Sequence, residues 1–134
     1  MKDFRDLKVW QRAHQITLAI YRCTRDFPRE ETYGIVSQLR RCSSSVAANI
    51  AEGCGRSGNA EFGRFLTVAM GSASEVEYFL LLARDLEYLS REKHEAVAQD
   101  VAEMRRMLNR LLSKVQAERG STLSTGRPQP LPCG

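Results

Sequence analysis

The chain has 134 residues, 43% of them hydrophobic and 27% charged, with a formal net charge of +4. That length suits one domain that buries a core without disulfide or metal staples, and no continuous apolar run approaches the roughly 18 residues that read as a membrane span. Arg119 and Arg127 lie near the end, so residues 1–118 hold 18 Lys and Arg against 16 acids. Bulk charge therefore gives no case for a nucleic-acid partner, and any such case must rest on where the cations cluster.

The opening Met1-Lys2-Asp3-Phe4-Arg5-Asp6 alternates charge and has no apolar signal core, which points to a cytoplasmic chain. Cys23, Cys42, Cys54 and Cys133 are widely spaced and form no C-x-x-C pair. Such spacing predicts free thiols, the first three in or near the core, with no metal and no cofactor. No segment alternates with period two and no Asn-Gly or Asp-Gly hairpin turn occurs, so strands are not expected.

Four stretches repeat apolar residues at helical spacing. The first runs from about Asp6 to Asp26, with a stripe of Trp10, Ala13, Thr17, Ile20 and Thr24 widened by Val9, Ile16 and Cys23. Phe27-Pro28 ends it, because the residue before a proline is pushed out of the helical region. The second begins between Pro28 and Thr32 and carries Ile35, Leu39, Cys42, Val46 and Ile50 up to a glycine-rich turn at Gly53–Asn59. The third, about Ala60 to Leu89, steps by four and three through Phe62, Leu66, Ala69, Ala73, Val76, Leu80 and Ala83. The fourth follows Ser90, a good N-cap, and steps the same way through Val97, Val101, Met104, Leu108, Leu111 and Val115. That heptad spacing belongs to helices packed at shallow angles. Short connections make neighbours antiparallel, so the expected fold is all-α, an antiparallel up-down four-helix bundle over residues 1–118. Residues 119–134, rich in Ser, Thr, Gly and Pro, read as a disordered C-terminal tail.

Helix three carries more apolar residues than one stripe needs. Tyr78, Phe79, Leu82 and Leu86 fit either an interface between copies of the chain or a broad internal core. Its small patch, Ala69 to Ser74, permits close approach of another helix.

Several motifs lead nowhere. Gly53-Cys54-Gly55-Arg56-Ser57-Gly58 matches G-x-G-x-x-G literally, but it follows a helix instead of the strand that a dinucleotide fold requires. Ser43-Ser44-Ser45 lacks a base in any recognisable arrangement with His14 or His94. Asn49 and Glu52 read as structural, Glu52 pairing with Arg40 or Arg56. No catalytic residue and no enzyme is expected. The basic groups remain. Arg105, Arg106, Arg110 and Lys114 complement the negative end of helix four. Lys8 and Arg12 sit in the first turns of helix one, where cations are unfavourable, and Arg40-Arg41 cannot both face the core. As a set these eight fit solvated or ion-paired surface as well as contact with nucleic-acid phosphates.

Phe4-Arg5-Asp6-Leu7-Lys8-Val9-Trp10-Gln11 resembles the opening of the small bacterial four-helix-bundle proteins called S23 ribosomal or intervening-sequence proteins. Ser37-Gln38-Leu39-Arg40-Arg41, Ala48-Asn49-Ile50-Ala51-Glu52-Gly53, Glu61-Phe62-Gly63-Arg64-Phe65-Leu66 and Gly71-Ser72 with Glu75 and Glu77 follow in order. Ala47 departs from the pattern, which carries proline before Ala-Asn. The resemblance spans about residues 4–115 and implies an up-down bundle that assembles as a ring-like pentamer. It also implies kinship with proteins encoded in intervening sequences of ribosomal RNA genes, and with accessory variability proteins of diversity-generating retroelements that bind nucleic acid and a reverse transcriptase.

The expected function is a non-enzymatic homo-oligomeric bundle that binds RNA or DNA through Lys8, Arg12, Arg40, Arg41, Arg105, Arg106, Arg110 and Lys114. The alternative is an accessory ring that holds a reverse transcriptase or another protein, with no membrane association in either case.

Overall fold

The computed structural model describes residues 3–125, with side chains described up to residue 118. The chain opens with a 3-10 turn over Phe4–Asp6, capped by the Asp3 side chain accepting from the Arg5 backbone N–H. Four α-helices follow: α1 (Lys8–Thr24), α2 (Ile35–Gly55), α3 (Asn59–Asp85) and α4 (Arg91–Thr125). No strand occurs among the described residues. Each helix packs on the next, α4 also packs on α1, and the diagonal pairs do not meet. Short connections between successive neighbours make the arrangement an antiparallel up-down bundle.

The core follows the heptad spacing. Ile35, Leu39, Cys42, Val46 and Ile50 from α2 meet Leu66, Ala69, Ala73, Val76, Leu80 and Ala83 from α3, all buried. Val97, Val101, Met104, Leu108 and Val115 of α4 close the other side, while Phe62 and Leu111 are half-buried. Helix α1 corrects the expected stripe. Val9, Ala13, Ile16, Ile20 and Thr24 form its buried face, and Trp10 and Thr17 are turned aside, half-buried. A helix with two neighbours hides about one narrow stripe, so the wider apolar band could not all go inward.

Four boundaries shift from the sequence expectation. Helix α1 starts at Lys8 because the 3-10 turn and the extended Leu7 precede it. A 3-10 turn over Arg29–Glu31 delays α2 to Ile35. Helix α3 ends at Asp85, four residues early: Glu87 adopts φ of 64°, and the Tyr88 backbone N–H donates to the Ala83 carbonyl at 2.9 Å. That is a Schellman closure with glutamate where glycine is usual, so composition gave no sign of it. Helix α4 continues to Thr125, past the expected start of a tail at 119. The remainder of that expected tail, residues 126–134, lies outside the described residues. Ser90 caps α4 as expected, its hydroxyl accepting from the Lys93 backbone N–H at 3.1 Å.

The α2–α3 seam is built from small side chains. Ser45 and Ser72 hydroxyls share a hydrogen bond of 2.9 Å across it, and Asn49 Nδ2 donates to the Ser45 carbonyl at 2.8 Å. At the seam's end Gly53 is buried, and a Cβ there would stand 2.9 Å from Phe62 Cδ1 and 3.0 Å from Phe65 Cβ. By length and composition α3 is apolar enough to cross a membrane, with a mean hydropathy of 1.3 over its best window. In the bundle it is the helix flanked by α2 and α4, and its apolar face is the core.

Two substitutions separate packing from propensity. Gly53→Ala forces the Phe62 ring and the Phe65 Cβ to shift and lowers unfolding free energy by about 1–3 kcal/mol. Gly71→Ala, an exposed mid-helix position with open space around it, raises it by up to about 1 kcal/mol. Urea denaturation of both variants measures the contrast.

Candidate nucleic-acid interface and exposed apolar faces

The eight expected phosphate-binding cations lie on three helices and do not converge. Lys8 and Lys114 are exposed and have no ion pair among the described residues. Arg12 reaches Asp100 of α4 at 3.8 Å. Arg41 donates to Glu75 of α3 at 2.8 Å and to its own helix neighbour Gln38. Arg105 bonds Glu77 of α3. Arg106 and Arg110 share Glu103, at 2.8 and 3.8 Å, and the hydrogen bond from Arg106 holds the Glu103 carboxyl below its ordinary range. Five of the eight therefore already face a carboxylate, and Arg12, Arg41 and Arg105 do so on three different sides of the bundle. These exposed pairs are weak and salt-screened, so they leave the cations accessible to a competing polyanion without concentrating them.

Arg40 is different. Its Nε donates to Thr24 Oγ1 at 2.9 Å and one terminal nitrogen donates to the Tyr21 carbonyl at 3.3 Å. The guanidinium also lies 4.5 Å from the Tyr21 ring centre. No carboxylate among the described residues pairs with it. It borders a cleft of about 370 Å³ at the α1–α2 turn, lined also by Arg25, Arg29, Thr24, Phe27 and Thr32. The sequence reading overlooked Arg25 and Arg29. Their signal was the run Arg22, Arg25, Arg29 through the Phe27-Pro28 break, three cations along a helix end and the turn after it.

Glu52 pairs with Arg56 at 2.6 Å, one of the two partners expected. The glycine turn and the start of α3 line a cleft of about 440 Å³ with Leu7, Phe62, Lys114 and Glu118. Gly58 holds φ of 89°, a conformation that favours glycine. The serine run makes no nucleophile. The Ser43 and Ser44 hydroxyls donate to the Arg40 carbonyl at 3.3 and 2.8 Å.

The expected interface residues divide. Tyr78 and Leu86 are 56% and 46% exposed, while Phe79 and Leu82 are half-buried against the core. Val68 and Leu81 add to the exposed apolar surface of α3. A second apolar region, not foreseen, is a groove of about 480 Å³ between α1 and α2. Trp10, Leu18 and Tyr21 wall it over a floor of Ala47, Ala48 and Ala51, and Leu18 and Tyr21 are each 40% exposed. Trp10 is fixed between Phe4, edge-on at 4.9 Å, and His14, stacked at 5.0 Å. Positions 10, 14, 17 and 21 repeat by four, three and four, a second stripe beside the core stripe that reads as surface only once the buried set is known.

Cys42 is buried and its thiol is pushed up to about 11 by that burial, with Glu75 adding to the effect. Burial also raises the half-buried Cys23. Since the thiolate is the reactive form, Cys42 of the native protein stays unmodified by iodoacetamide at about pH 8 and is labelled only after denaturation. Peptide mapping by mass spectrometry checks this, and rapid native labelling of Cys42 contradicts the packing described.

The fold has a counterpart among solved structures. A solved structure described as a protein with unknown function from the S23 ribosomal protein family of Bacteroides thetaiotaomicron VPI-5482 superposes with a TM-score of 0.70 at 26% identity, over 78% of this chain and 97% of that one. No curated protein matches. The model of the 23S rRNA-intervening sequence protein family matches residues 5–110, and with most of the bundle inside that match the chain belongs to this family.

Proposed function

We propose that the protein is a non-enzymatic helical bundle that assembles with copies of itself and, so assembled, binds nucleic acid through its cationic surface. The observation that carries the assembly is the pair of unlike apolar regions on one chain. One is a groove between α1 and α2. The other is the outer surface of α3, the helix diagonal to α1. Two different regions that pair with each other give a heterologous contact, which closes into a ring when the rotation permits. The pentamer implied by the family resemblance is such a ring.

The nucleic-acid part rests on charge repetition. Five copies would bring about +10 from residues 1–118 around one axis, enough for sequence-independent phosphate binding driven by counterion release. The family description names an rRNA intervening sequence and the solved relative is described as of unknown function, so neither supplies the ligand. A second reading is an accessory ring for a protein partner such as a reverse transcriptase. It is favoured by the five expected phosphate-binding cations that already face carboxylates.

Leu18→Glu breaks the groove and Tyr78→Glu breaks the α3 surface. Light scattering should find each variant monomeric and an equimolar mixture forming dimers, because each retains the region the other has lost. Monomeric wild-type protein, or a mixture that stays monomeric, contradicts heterologous assembly. Fluorescence anisotropy with mixed-sequence RNA and DNA should show binding that weakens at least about tenfold between roughly 50 and 200 mM salt. No binding at the lower salt removes the nucleic-acid part and leaves the protein-partner reading.

A further inference from the structure

We propose that the cleft at the α1–α2 turn is a seat for a backbone phosphate of single-stranded nucleic acid, held by Arg25, Arg29 and Arg40, with Tyr33 as the platform for a neighbouring base. The inference rests on the nucleic-acid reading above and gives it a place. Three guanidinium groups line this cleft and no carboxylate does. Asp26, Glu30 and Glu31 belong to the same turn but lie outside the lining. Glu31 is held elsewhere, accepting from the Tyr88 hydroxyl at 2.9 Å and from the Ile35 backbone N–H at 3.4 Å.

Arg40 is set in advance. Thr24, the Tyr21 carbonyl and the Tyr21 ring fix its plane, and its Nη1 has no hydrogen-bond partner among the described residues. A guanidinium fixed by neutral groups keeps its full charge and loses little freedom on binding an anion. Arg25 and Arg29 are exposed and have no ion pair among the described residues. The α1 dipole accounts for Arg22 and Arg25 near its C-terminus, but not for Arg29 beyond it or Arg40 on another helix. The Thr24 and Thr32 hydroxyls complete the polar lining.

Tyr33 is the second, independent sign. It is 94% exposed, the most exposed large apolar side chain described, and it stands in the connection that carries Arg29. Tyr33 is outside the lining but follows Thr32 of the lining in the chain, and cations for the phosphate with an exposed ring for the base are the pairing by which proteins hold single strands. Double-stranded nucleic acid keeps its bases stacked and would leave Tyr33 unused.

The test uses the full chain at about 50 mM salt, where phosphate contacts are strong, with a short fluorescein-labelled oligouridine and, separately, tripolyphosphate by calorimetry. Arg25→Gln/Arg29→Gln should weaken both at least tenfold. Tyr33→Ala should weaken oligouridine about fivefold and leave tripolyphosphate unchanged, since stacking acts only on bases. Arg5→Gln/Arg64→Gln removes the same charge from cations paired at the N-terminal turn and the start of α3, and should alter either affinity less than twofold. The changed positions are exposed, and an unaltered melting temperature verifies the fold. Oligouridine binding that Arg25→Gln/Arg29→Gln leaves intact overturns the seat while the nucleic-acid reading stands. Absence of oligouridine binding overturns that reading, and tripolyphosphate binding lost in the same variant then still supports the cleft as a phosphate site. Failure of both probes overturns both.

Discussion

The close approach of α2 and α3 is the constraint on which the rest of the molecule depends. Interaxial distance follows the side chains at the contact, and here they include Ser45, Ala69, Ser72 and Ala73, with Gly53 against the Phe62 ring and the Phe65 Cβ. The Ser45–Ser72 hydrogen bond fixes the register, because a slip along either helix would leave two hydroxyls unpaired in a largely apolar seam. The inner face of α3 alternates small residues, Ala69, Ser72, Ala73 and Ala83, with larger ones, Leu66, Val76 and Leu80, all buried. Val68, Tyr78, Leu81 and Leu86 lie outside that face and are exposed.

Charge follows the same geometry. Arg12–Asp100 joins α1 to α4, Arg41–Glu75 joins α2 to α3, and Arg105–Glu77 joins α3 to α4. Three of the eight cations that look available in the sequence are thus edges of helix-to-helix contacts. The α1–α2 junction lacks such a bridge: Arg40 there is held by a hydroxyl, a carbonyl and an aromatic ring. Accessible positive charge therefore depends on the partner each cation finds in the fold, which the count of Lys and Arg does not give.

The fold was legible because it is written in periodicity. Four-and-three spacing in α2, α3 and α4 marked the buried residues almost position by position, and Ser90 marked a helix start. Local backbone chemistry was harder to read. Glu87 ends α3 in a left-handed conformation that no glycine announces, and a 3-10 turn at Arg29–Glu31 occupies what reads as the start of the second helix. On α1 two stripes lie side by side, and spacing alone merged Trp10 and Thr17 with the core face. The site was the least legible part. A basic residue in a sequence carries no record of its partner, so the pairing of Arg41 with Glu75, thirty-four positions away, and the clustering of Arg25 and Arg29 with Arg40 needed the tertiary arrangement.

In the assembly proposed above, the apolar groove of α1 and α2 on one copy receives the outer surface of α3 on another. Disulfide trapping tests it most directly: Leu18→Cys and Tyr78→Cys are introduced together into a chain whose four native cysteines are replaced by serine or alanine, and the linked peptides are identified after mild oxidation. The account predicts intermolecular bonds between positions 18 and 78. Bonds joining 18 to 18 or 78 to 78, or no intermolecular bond at all, would contradict it.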